Sequence, residues 1–149
     1  MCDVKSLVDG LTHKDASYAH KCLKQLQTES AAAALVYPFF DRFVEMLGSD
    51  NSYIRTRGIV LLAANAKWDA DCKFEQIIDG YLRHIVDDKP ITARQCIQTL
   101  STIVRCKPNL KERIEQALHR ADLSMYQDSM RPLVKKDIQQ ALSAIEHLG

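Results

Sequence analysis

At 149 residues the chain has the length of one domain and can bury a substantial core. Hydrophobic residues make up 46% and charged residues 26%, an ordinary balance for a globular chain. Twenty Lys and Arg against 19 Asp and Glu leave a formal charge of +1, which excludes a surface wholly given over to gripping nucleic acid or anionic membrane but allows a local basic patch.

The first residues, MCDVKSLVDGL, contain no long apolar run behind a basic segment, so neither a signal peptide nor a membrane span is expected there. AAAALVYPFF is too short to cross a bilayer and contains a proline. Five cysteines, Cys2, Cys22, Cys72, Cys96 and Cys106, include no CxxC pair. They read as reduced thiols of a cytoplasmic protein, several of them buried as small apolar residues.

Helical periodicity then dominates in chain order. A short helix is expected over 4–11. The stripe Tyr18, Ala19, Cys22, Leu23 and Leu26 marks a second over 16–28. Helices over 33–47 and 52–67 follow, the latter apolar nearly all round, which calls for neighbours on more than one side. Phe74, Ile77, Ile78, Tyr81, Leu82 and Ile85 mark 73–86, and Ala93, Cys96, Ile97, Leu100, Ile103 and Val104 mark 90–106. The last pair is 110–121 with about 126–148. No segment alternates as a strand. The breaks are short: THKD, GSDN, DDKP, KPN and ADLS supply capping acids, a glycine stop and prolines. With no linker or low-complexity run, 1–149 reads as a single domain.

Two nearly identical phrases, DASY at 15–18 and DNSY at 50–53, begin 35 positions apart. Each falls at the turn between the helices of a pair. Asp15 and Asp50 are placed to cap the helix that follows, with Tyr18 and Tyr53 as its first apolar anchors. DDKPI at 87–91 is a looser third copy. A period of this length indicates stacked helix pairs.

PFFDRFVEMLGSDNSYIRTRGIVLLA (38–63) resembles a HEAT repeat, the helical hairpin of the armadillo/HEAT superhelix. Pro38, Met46–Leu47, Asp50 and Ile54–Arg55 fall where that family carries an early proline, a leucine-rich helix end, a turn aspartate and a β-branched residue followed by arginine. The stretch 74–100 is a looser match, with Arg94 two positions beyond the arginine site, and the first and last pairs depart further. The resemblance implies an all-α, right-handed superhelix of about four HEAT-like hairpins, whose second helices line a concave side.

No GxGxxG, P-loop, HExxH or GxSxG occurs, and the five histidines are scattered. His84 with Asp87 and Asp88 lacks a recognised metal-ligand spacing; the acids read as caps. Asp69 and Asp71 belong to a polar loop beside Trp68, which either closes the end of the core or stands as a binding aromatic.

The most suggestive surface is the polar face of 90–106. Arg94, Gln98, Ser101 or Thr102, and Arg105 recur at helical spacing, opposite Ile97, Leu100 and Val104. Lys21, Lys24 and Arg55 or Arg57 from neighbouring second helices would extend it as a mildly basic groove, unless it is an ordinary solvated face. Arg131, Lys135 and Lys136 form a further basic group, offset by Asp128 and Asp137. The function expected is that of a non-enzymatic scaffold, without cofactor or metal. It would bind a protein or peptide through Lys24, Arg57, Trp68, Arg94, Gln98 and Arg105. Arg94 and Arg105 are expected to be removable at little cost in stability. The alternative is a nucleic-acid binder related to HEAT-like glycosylases that excise alkylated bases. Trp68–Asp69 with Arg94 and Arg105 would serve it.

Overall fold

A computed structural model describes residues 3–148. The 1–149 span comprises two compact units, Met1–Ala70 and Asp71–Gly149. Both are helical, and no β-strand occurs among the described residues. Nor is any helix there long and apolar enough to cross a membrane.

Unit 1 contains α1 (Val4–Gly10), α2 (Ala16–Ala32), α3 (Phe40–Met46) and α4 (Ser52–Ala64). Short 3₁₀ turns precede α3 (Tyr37–Phe39) and follow α4 (Ala66–Trp68). α1 packs on α2, α3 on α4, and α2 on α4. The two second helices run in the same direction. The Arg57 guanidinium of α4 donates to the Leu11 carbonyl just before α2 (2.8 Å), while Asn65 at the end of α4 donates to the Ser30 hydroxyl near the end of α2 (3.1 Å). The apolar character of α4 matches its surroundings. Arg55, Arg57, Gly58, Ile59, Leu61, Leu62 and Ala63 are all buried. At about 100° per residue they cover most of the helix circumference.

Capping follows the repeated phrase with one correction. Asp15 accepts from the backbone N–H groups of Ser17 and Tyr18 and caps α2. At the second phrase the cap is Asn51, not Asp50: its side chain accepts from Tyr53 and Ile54, and α4 begins at Ser52. Neither tyrosine anchors the core. Tyr18 is 45% and Tyr53 71% exposed, because each sits on the first turn, ahead of the buried stripe.

Unit 2 contains α5 (Lys73–Leu82), α6 (Pro90–Cys106), α7 (Lys111–Arg120) and α8 (Arg131–Leu148). A 3₁₀ segment, Arg83–Val86, continues α5 and packs on α6; another, Pro108–Leu110, leads into α7. α6 packs extensively on α8. They too run in the same direction: Tyr126, ahead of α8, donates its hydroxyl to the carbonyl of Asp87, ahead of α6, and Arg94 meets Asp137 further along. The core gathers Phe74, Ile78, Tyr81, Ile97, Leu100, Ile114 and Val134. Buried polar groups are matched. Lys107 donates to Glu75 (3.1 Å), which also accepts from Asn109 (2.9 Å). The Tyr81 hydroxyl pairs with Thr99 (2.7 Å).

Two helix starts differ from the sequence-based spans. The chain from 33 to 36 is a turn, and the helix expected at 33 begins only with the 3₁₀ segment at Tyr37. Pro38 supplies the reason: without an N–H it cannot bond to a carbonyl one turn back, so it sits in the first turn of a new helical segment. α8 begins at Arg131 rather than near 126, with Pro132 in its first turn. Tyr126 is instead a buried plug in the turn-rich 121–130 segment. Cys22 and Cys96 are buried, Cys106 half-buried and Cys72 exposed. Cys2 lies outside the described residues.

Candidate protein-binding surface

α6 starts with Pro90 in its first turn and buries Thr92, Ala93, Cys96, Ile97, Leu100, Ile103 and Val104. Arg94, Gln98, Ser101 and Arg105 then fall within about 60° of one another around the helix. Gln98 and Arg105 lie about 140–160° from Leu100, well away from the centre of the apolar stripe. Arg94 does not stand opposite it: at about 60° from Ile97 and about 120° from Leu100, it borders the contact with α8.

That position divides the three expected site residues of unit 2. Arg94 lies at the boundary, and its Nε donates to Asp137 of α8 at 2.6 Å. The hydrogen bond, reinforced by the carboxylate charge, raises the Arg94 pKa further above its ordinary value. Asp137 is only 6% exposed. Removing Arg94 leaves this buried carboxylate without its cation, so the expectation that Arg94 is replaceable at little cost reverses. Gln98 and Arg105 are exposed. Arg105 borders a depression of about 120 Å³ whose other walls are Val104, Pro108, Lys111 and Leu148. Neither Arg105 nor Lys111 has a side-chain hydrogen bond or ion pair among the described residues. The depression thus joins two uncommitted cations to an apolar floor. Lys111 and Leu148 come from the following hairpin, and nothing in the pattern of 90–106 points to them.

The unit 1 candidates do not make one surface. Lys24 is exposed on α2. Arg57 does not line a groove: it is 9% exposed and turned inward to the Leu11 carbonyl, which needs a donor after α1 has ended. Burial lowers its pKa from the ordinary value. Arg55 is equally internal and donates to the carbonyls of Ser49 and Asp50, fastening the turn before α4. Trp68 is half-buried, and its indole N–H donates to the Ser30 carbonyl at 2.7 Å. Neighbouring Asp69 is buried and accepts from the Tyr37 hydroxyl at 2.5 Å. Both therefore serve packing within unit 1.

His84 pairs through Nδ1 with the buried carboxylate of Asp87 (2.8 Å), whose other oxygen accepts from the Lys89 backbone (2.9 Å). This arrangement organises the turn into α6. Burial, then the charges of Asp87 and Asp88, push the Tyr126 hydroxyl up to about 12, so it stays a donor to the Asp87 carbonyl at neutral pH.

Comparison with known proteins finds no matching family model, and no curated protein or solved structure gives a significant match.

Proposed function

We propose that the chain is a HEAT-like helical-repeat scaffold, without catalytic activity, that binds an acidic segment of a protein partner at the α6 face of unit 2. The observation that carries this is the pair of uncommitted cations, Arg105 and Lys111, beside the apolar depression formed by Val104, Pro108 and Leu148. Such a site answers a carboxylate and an adjoining apolar side chain together. Parallel packing of consecutive second helices within each unit supports the hairpin-array reading, as does the 35-residue recurrence of the capping phrase. The glycosylase-like alternative draws on Trp68 and Asp69, and their engagement with Ser30 and Tyr37 favours the protein-binding reading over it.

The test is fluorescence anisotropy with a panel of acidic, apolar-containing peptides and a duplex DNA of mixed sequence. Arg105→Glu with Lys111→Glu should weaken the best peptide by about tenfold or more through like-charge repulsion. Stability should stay within about 0.5 kcal/mol, since the substitutions break no pairing. Peptide affinity unchanged by the double substitution would remove the site. Tight DNA binding with a steep salt dependence would favour the nucleic-acid alternative.

A further inference from the structure

Unit 1 carries a cleft of about 270 Å³ at the end where each of its hairpins turns from first helix to second. Val8 and Thr12 line it from α1 and the turn that follows, Arg42, Glu45 and Met46 from α3, and Ile54 from α4. The spacing within α3 accounts for its character. Positions i, i+3 and i+4 share one helix face, so a cation, an anion and a thioether lie side by side. The floor is apolar, with Val8 and Met46 buried and Ile54 half-buried.

The rim charges retain unused capacity. Arg42 gives one N–H to Asp9 at 3.0 Å, and Lys5 approaches the same carboxylate at 3.7 Å. The rest of the Arg42 fork and the Glu45 carboxylate have no partner among the described residues. A ligand of one sign would leave one of these two groups unanswered. Size narrows the class further. Cofactor- or drug-sized ligands use enclosing sites of about 300–1,000 Å³, whereas an open cleft below that range holds one or two side chains. Tyr53 and Tyr18 stand exposed on the first turns of α4 and α2, at the same end of the unit. Aromatics in such positions commonly anchor protein contacts.

We propose that this cleft docks a short segment of a protein partner in which an apolar side chain is flanked by one acidic and one basic residue. The apolar side chain seats on Val8, Met46 and Ile54, the acid faces Arg42, and the base faces Glu45. The proposal uses none of the α6 residues and stands or falls separately from them.

A random-peptide library displayed on phage, selected on the full chain, supplies the probe. Enriched sequences should share the acid–apolar–base pattern. The synthetic winner should shift the amide resonances of Val8, Thr12, Glu45, Met46 and Ile54. Glu45→Lys should weaken it about tenfold and change the selected basic position to an acidic one, while the thermal midpoint stays put. Four results overturn the proposal. They are a library that enriches nothing; a winner that shifts only the amides around Gln98 and Arg105; an affinity that survives both Glu45→Lys and Arg42→Gln; and cleft resonances that move with protein concentration alone, which makes the occupant a second copy of the chain.

Discussion

Asp15 and Asn51 hold corresponding posts at the starts of α2 and α4, and each takes two backbone N–H groups that the first helical turn cannot satisfy internally. The phrase DxSY announces such a cap, but at 50–53 it contains two competent residues in succession. Only the observed helix start at Ser52 decides between them. Asn51→Ala should therefore lower stability by about 0.5–2 kcal/mol in denaturant unfolding, whereas Asp50→Ala should stay within about 0.5 kcal/mol. Equal effects would show the cap to be shared. The tyrosines were illegible for a related reason. Helical periodicity gives a residue's angle around its own helix but not where the neighbouring helix ends. A first-turn residue can lie near the apolar stripe in angle and still project beyond the packed surface. Arg57 illustrates the converse: a charged residue read as groove lining is drawn inward by the orphan carbonyl of Leu11, 46 positions earlier.

Among the elements, α4 is the one whose environment its composition foretold, because a helix apolar all round has no solvated side to offer. Its approach to α3 is set by Gly58. A methyl group there would lie 2.8 Å from the Phe43 carbonyl oxygen and 3.0 Å from the Met46 Cβ. Backbone cannot yield as a flexible side chain can, so the helices would have to separate. Gly58→Ala should therefore destabilise by about 1–3 kcal/mol despite alanine's higher helix propensity, and a midpoint that rises instead would refute the close approach. Element type was legible throughout from the 3.6-residue period. Element starts were not always so. The apolar residues before α3 and α8 extend a plausible pattern upstream of the points where Pro38 and Pro132, which lack the N–H to bond a preceding turn, set the helix starts, and Tyr126 satisfies an apolar position without belonging to a helix.

For the molecule as a whole, the helical class was open to sequence reading because local period suffices for it. The candidate site was only partly open. Gln98 and Arg105 follow from the spacing of α6, but Asp137, Lys111 and Leu148 come from other helices, and no spacing within α6 encodes them. The same holds for the Lys107–Glu75–Asn109 cluster, which ties α5 to the approach of α7. Burial opposes ionisation of Glu75. The hydrogen bonds from Asn109 and Lys107, with the nearby ammonium charge, outweigh it and hold the carboxyl below its ordinary value. A depressed folded-state pKa gives stability that is full above the unfolded value of 4.5 and lost as pH falls through the lower folded value. Glu75→Gln should lower stability by about 1–3 kcal/mol at pH 7, because the charge-assisted hydrogen bond from Lys107 to the carboxylate is lost. The wild-type and variant midpoints should draw together as the medium is acidified below that window. A constant gap down to strong acid would refute the linkage.

The bond between the Trp68 indole and the Ser30 carbonyl has an optical consequence. Trp68 is the single tryptophan of the chain, so all indole emission originates in unit 1 at the last turns of α2. The ring is half-buried and held at its nitrogen, with the Lys67 ammonium 5.2 Å from its centre. Fraying of α2 there would free the indole to water and shift its emission to the red while most of the helical signal persisted. The chain thus carries an intrinsic fluorophore that separates a local opening from global melting.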